Sequence, residues 1–336
     1  MGCCSKMSDK IHQISPSTVE FSLRQPRYDQ STFWGRYRRC LDIIDPRTLL
    51  VSKEKEQDCL RLLDAYKNNK VPPDVTSEQL WEARKIKEAI FHPDTNEKIF
   101  MPFRMAGFVP FGTITVVGML LPAPTLSTVV FWQWLNQSHN AAVNYSNRNA
   151  TKPTPTSRFI LSYVTAITSA VSIAVGLTVF VQKAKFFSPQ VQRSLQRLIA
   201  FPATASANIC NVMAMRSNEL IEGVELVDGD GNVKGTSKIA AKRAIFETII
   251  TRVFLSGTVL CTPVVIMAAL ERTKFLRKNP RFILPTQAIA CILSFGIALP
   301  FAIALFPQMS QIDAKDMEPE IQNNCNELVL HYNKGL

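Results

Sequence analysis

The sequence predicts an all-α, multipass membrane helix bundle of about five spans, preceded by a small helical soluble region. Three observations carry that reading. Residues 283–306 run for 24 positions without a charged side chain, and residues 159–181 for 23. At about 1.5 Å of helix rise per residue, each run crosses a hydrocarbon core of about 30 Å. Only 19% of the 336 residues are charged, against 46% hydrophobic. The basic residues cluster in short loops between apolar runs, four in 182–197 and five in 271–281, as orientation signals do. A soluble enzyme, a disulfide-rich secreted domain and a nucleic-acid-binding domain all fit poorly.

The chain divides into a soluble head, 1–100, a membrane bundle, 101–306, and a tail, 307–336. The head carries 17 basic and 15 acidic side chains and no run long enough to span. Ser52 caps a helix to about Lys67 whose apolar face holds Cys59, Leu62, Leu63 and Tyr66. Thr76 and Gln79 form a capping box for a second helix, which ends before Pro93. The head is expected to pack on the bundle. Residues 1–20 have no apolar h-region of a signal peptide and no arginine, and they begin Met-Gly-Cys-Cys-Ser-Lys, which resembles an acylation signal. Lys6 breaks the myristoylation pattern, which leaves Cys3 and Cys4 as candidate palmitoylation sites.

Expected spans are 105–121, 159–181, 198–215, 253–270 and 283–306. Pro202, Asn208 and Asn211 in the third and Pro263 in the fourth suggest partly broken helices whose freed groups are met by neighbours. Residues 125–147 are ambiguous, because they span, re-enter or lie in the interface. Their only residue that ionises near neutral pH is His139, yet Gln133, Asn136, Asn140, Asn144 and Asn147 recur at spacings 3, 4, 4 and 3. At about 100° per residue they fall within roughly 80° of one helix face. A half-buried helix is favoured, with Trp132 and Trp134 as headgroup-level anchors. With five spans, the head lies on the side of the densest basic loops. Residues 224–233 read as a β-hairpin turning on Asp-Gly.

The carboxamide stripe is the leading candidate for function. Amides donate and accept without charge, so they bind a polar solute at low desolvation cost. With Arg148 as a carboxylate fork and His139 as a proton-coupling group, the stripe suits a carboxylate. Asn208 and Asn211, at i and i+3 in a span, are further path candidates. Each of these amides is equally the kind of residue that glues helices together. His92 and Asp94, in His-Pro-Asp-Thr, are a candidate proton relay or gate, or simply a turn closing a helix. No Ser-His-Asp, HExxH, P-loop or GxGxxG arrangement and no zinc-spaced cysteines occur. No catalytic residue, metal or cofactor is therefore expected, and the chain is not read as an enzyme. The expected partners are a small-molecule substrate and the lipid bilayer, not nucleic acid; no protein partner is assigned.

His-Pro-Asp-Thr at 92–95, the asparagine-rich stretch 134–151, Ile-Ile-Asp-Pro-Arg-Thr-Leu at 43–49 and Leu-Phe-Pro-Gln at 305–308 resemble the sideroflexin family. The likeness runs from about Tyr28 to the end of the sequence. The ending Tyr-Asn-Lys-Gly-Leu is most similar to the branch associated with citrate. The resemblance implies a multipass carrier of the mitochondrial inner membrane without a cleaved presequence; in that membrane the basic loops of the five-span reading put the head in the matrix. Other branches imply serine and small neutral amino acids for one-carbon metabolism. The expected function is transport of a small carboxylate by alternating access, citrate first and serine second. A scaffold or assembly factor for inner-membrane complexes is the alternative. The family's binding residues are not carried over.

Overall fold

The computed structural model describes residues 20–333 apart from 24, 122–123, 149–154, 185–187, 229–232, 308, 320 and 322–328. Cys3, Cys4 and the Asp-Gly turn of the expected hairpin beyond Asp228 lie outside the described residues.

The head forms three helices, α1 (Phe33–Ile43), α2 (Lys53–Lys67) and α3 (Ser77–Ile90). Local chemistry sets their starts. Thr32 accepts from Gly35 N, Ser52 from Lys55 N, and Thr76 with Gln79 completes the capping box. Helices α2 and α3 bury Cys59, Leu63, Leu80, Trp81, Ile86 and Ile90 against Phe21. A polar knot joins the rest: Asp45 caps the 3-10 turn Pro46–Leu50 and pairs with both Arg47 and Lys85. The Arg47 hydrogen bonds outweigh partial burial and, with Lys85, hold the Asp45 carboxyl well below the usual carboxylate range.

Six helices then run antiparallel, up and down: α4 (Met105–Met119), α5 (Leu126–Ser146), α6 (Thr156–Lys183), α8 (Ala200–Glu222), α9 (Lys238–Leu270) and α11 (Ile283–Ala304). Short helices α7 (Pro189–Leu198) and α10 (Lys274–Lys278) cover the far end, where Arg197 pairs with Glu271 at 3.0 Å. Four stretches are long and apolar enough to cross a membrane: Thr156–Lys183, Ser194–Glu222, Lys238–Leu270 and Pro280–Ala304. Large apolar side chains such as Leu161, Val164, Val265, Leu293 and Ile297 face outward at 51–67% exposure, as lipid contact requires.

The expected first span, 105–121, is a helix of only 15 residues, about 22 Å long. Residues 125–147 do not stop halfway. Helix α5 follows α4 along its whole length, from Trp132 beside Gly118 to Asn147 beside Phe103. A Cβ on Gly118 would lie 2.1 Å from the Trp132 ring, so glycine permits this approach. Trp132 thus packs between helices rather than anchoring at headgroups; Trp134 is 44% exposed.

This extra pass along the bundle corrects the expected placement of the head relative to the loops. The head meets the ends of α11 and α5: Arg36 Nε donates to Ala304 O at 3.0 Å, Phe33 packs on Phe301, and His92 bonds the Arg148 carbonyl. Loops 182–197 and 271–281 lie at the opposite end, where Gln287 Nε2 donates to Leu120 O. Head and tail therefore share one face, and the densest basic loops occupy the other.

The hairpin is also larger than expected. Strands β1 (Val224–Val227) and β2 (Val233–Ser237) are joined by two from the tail, β3 (Met309–Asp313) and β4 (Val329–Asn333). The order is β2-β1-β4-β3, with every pair antiparallel. Gly223, at φ 87°, makes the turn from α8 into β1. Leu226, Leu330 and Tyr332 are fully buried against Ala240 and Ala244 of α9. Glu318 Oε1 accepts from Lys238 N and Ile239 N, so the tail supplies a cap for α9.

Small residues let α6 and α8 meet. Ser162, Ala166, Ala170, Ala174 and Thr178, each four apart, are at most 3% exposed, opposite Ala203 and Ala207. This is the small-residue packing through which membrane helices associate. Ala170→Leu is expected to cost about 1–3 kcal/mol by overpacking, read as a lower melting temperature in detergent. For Glu318, burial raises the pKa, but its backbone and Ser237 hydrogen bonds prevail and lower it. The cap therefore stabilises at neutral pH and is lost as pH falls through the depressed value. Glu318→Gln should speed hydrogen exchange at Lys238 and Ile239 near neutrality, with the difference from wild type vanishing in acid.

Candidate functional site

Helix α5 brings the carboxamides into the bundle unevenly. Thr125 caps its first turn, and the helix then enters between α4 and α6. Gln133 and Asn136 are 2% and 6% exposed, Asn140 is half-buried, and Asn144 is exposed. Asn147 caps the end, its Nδ2 donating to Phe103 O at 2.9 Å and Val143 O at 2.8 Å. The stripe thus rises from the core at the far end to the surface at the head end. The adjacent Gln137, which the spacing pattern skips, is 4% exposed and belongs to the buried part.

The buried part is incompletely paired. Asn136 Oδ1 lies 2.9 Å from the Thr115 hydroxyl, tying α5 to α4. Gln133 Oε1, Gln137 Nε2, His139 Nδ1 and Ser294 Oγ of α11 are buried atoms with no hydrogen-bond partner among the described residues. Gln133 lines a cavity of about 20 Å³ with Gly118, Trp132, Thr178 and Gln196, room for about one water. His139 Nε2 faces the Pro102 carbonyl at 3.3 Å, which only accepts, so Nε2 carries the proton and Nδ1 is an open acceptor. Its ring stacks on Phe108.

The other candidates lie elsewhere. Arg148 is exposed at the head face, its guanidinium 3.7 Å over the Tyr145 ring and donating to Tyr145 O. His92 lies two residues past the end of α3. Its Nδ1 accepts from Asp94 N and Thr95 N at 3.2 and 3.3 Å, so the proton is on Nε2, which donates to Arg148 O at 2.7 Å. Both ring nitrogens thus serve backbone groups, and His92 staples the head to the end of α5; Asp94 is exposed beside it. Asn208 Nδ2 donates to Ser256 Oγ, and Asn211 Nδ2 to Ser162 Oγ, each at 2.7 Å. These bonds tie α8 to α9 and to α6. Asn211 also accepts from Arg252 Nη1 at 3.4 Å. Sequence reading missed Arg252 because it immediately precedes the charge-free run 253–270 and served only to mark where a span begins. Ser294 gave no signal at all.

The family model described as Sideroflexins matches residues 22–336. The chain is 57% identical to Sideroflexin-5 of Homo sapiens over 94% of this chain and 93% of that protein. It is 49% identical to Sideroflexin-5 of Caenorhabditis elegans, over 96% and 97%. With Sideroflexin-3 of Homo sapiens it shares 37% identity, over 95% and 98%. No solved structure matches.

His92→Ala is expected to cost about 1 kcal/mol, since it removes hydrogen bonds to a partly buried carbonyl and two amides. Limited proteolysis should then cut the 92–100 segment faster, while the bundle stays intact. Unchanged cleavage would refute the staple.

Proposed function

The chain belongs to the sideroflexin family, and from that membership we propose that it is a mitochondrial inner-membrane transporter of small carboxylate metabolites. Citrate is the first substrate, and serine or another small neutral amino acid the second. The observation that supports transport most is the set of buried polar atoms without partners on α5 and α11, Gln133 Oε1, Gln137 Nε2, His139 Nδ1 and Ser294 Oγ. Each unpaired group costs about 1–3 kcal/mol in a dry interior, a cost that a polar solute in transit would offset. Asn140, Asn144 and Asn147 continue that face towards the head, where a solute would enter or leave.

Alternating access needs helices that bend. Pro110, Pro263 and Pro300 lie inside α4, α9 and α11, which run through them unbroken rather than partly broken, the expectation at Pro263, and which share one apolar core around Leu260, Phe295 and Leu299. Helices α5 and α6 carry no proline. We propose that the proline-bearing group rocks against the straighter one. The sidedness of the basic loops favours their facing the matrix, with head and tail in the intermembrane space. This orientation reverses the one expected from five spans.

Purified protein in liposomes should take up labelled citrate or serine, each competing with the other if the path is shared. Gln133→Leu and Gln137→Leu should cut uptake at least tenfold with the protein still folded, and Asn144→Leu should have a small effect. Absence of uptake of both solutes at verified orientation would sink transport. Lost inner-membrane complexes on replacing exposed head charges, with uptake intact, would favour the assembly-factor alternative. Protease added to mitoplasts should cut the head and spare 271–281; the opposite pattern would restore a matrix-facing head.

A further inference from the structure

Arg252 of α9 stands where three helices meet, at the head-side end of the apolar zone. It is packed deep among neighbouring atoms yet only half-buried by surface, the mark of a side chain in a crevice. Its one hydrogen bond among the described residues runs to Asn211 Oδ1 at 3.4 Å, at the midpoint of the 23-residue α8. Asn211 is itself held by Ser162 of α6, which is 1% exposed. An arginine at a membrane boundary ordinarily snorkels to the headgroups. This one turns inward to an asparagine.

The charges around it do not balance. Arg216, close enough to repel Arg252, is neutralised by Glu219 and bonded to Thr248 Oγ1 at 3.1 Å. Among the described residues no carboxylate lies within 4 Å of Arg252. Glu219 is thus taken up by Arg216, and Arg252 has Asn211 as its partner in place of a carboxylate. An excess cation at the edge of hydrocarbon is costly unless paired, and ionisable groups kept there face the bundle interior and mark solute paths. Arg252 has five N–H donors, most of them uncommitted, in a fork whose geometry matches a carboxylate.

We infer that Arg252, positioned by Asn211 and Ser162, docks one carboxylate group of the transported solute at the head-side mouth of the bundle. The inference rests on the transporter reading and supplies its charged contact. One excess cation matches one carboxylate. A zwitterionic amino acid needs nothing further, whereas citrate needs its remaining carboxylates met by protons, co-transported cations or other groups.

The test uses the full-length protein in detergent, with melting temperature followed against citrate and against serine at matched ionic strength. At least one should stabilise the wild type, and the one that does identifies the source of the carboxylate. Arg252→Gln should weaken that response at least tenfold, and Arg252→Lys, which keeps charge without the fork, should fall between. Asn211→Asp, which provides an internal carboxylate, should raise the basal melting temperature and weaken the response by a similar factor. Wild-type affinity in Arg252→Gln or Asn211→Asp, or no response of the wild type to either solute, would overturn the inference. Uptake in proteoliposomes separates it from the broader reading. Arg252-dependent binding without wild-type uptake would leave the docking site standing and remove transport. Uptake with unchanged KM in Arg252→Gln would do the reverse.

Discussion

A helix in hydrocarbon has no water to answer its polar side chains, so every such group must be met by a neighbour or by something passing through. That constraint organises this bundle. Thr115 with Asn136, Asn208 with Ser256 and Asn211 with Ser162 pin α4 to α5, α8 to α9 and α8 to α6. Such bonds form only if backbones come close, which the small residues of α6 and α8 and the glycine under Trp132 permit. The polar groups left over are then informative, because packing has already used the ones it needs. Among the described residues they include Gln133, Gln137 and His139 on α5, Ser294 on α11 and Arg252 on α9.

The division between glue and path also explains why uncharged amides dominate. An ionised group on each turn of α5 would demand a counter-ion at every step, whereas Gln and Asn accept and donate at modest desolvation cost. Arg252 places a charge without a carboxylate partner among the described residues at an end of the apolar zone. A solute would meet charge first and neutral amides afterwards, an order suited to capture followed by release.

Where the sequence carried strong local chemistry, it was read to within a residue. Ser52, Thr76 and Gln79 mark helix starts by the hydrogen bonds they make, and 125–147 is Leu126–Ser146 with its caps. The crossing of α5 was not legible, because the carboxamides that lower its hydropathy are satisfied or sheltered by α4 and α6, a tertiary fact. Helix α1 was missed since its arginines hide a short apolar face, and Arg36 is explained only by the Ala304 carbonyl it meets. The tail strands are brief, and their partners lie far away in the chain. Arg252 was visible as a letter and invisible as a site, since only the fold shows that it faces Asn211.

The four-stranded sheet has a kinetic consequence. Strand β1 is flanked by β2, its immediate successor, and by β4, which follows only after both α9 and α11. A chain threaded N-terminus first would therefore hold an exposed edge at β1 and an uncapped α9 until two more helices had been inserted. Unlike α2 and α3, which pack on each other from nearby in sequence, this face closes late. The sheet can be complete only once α11 and the tail strands are in place.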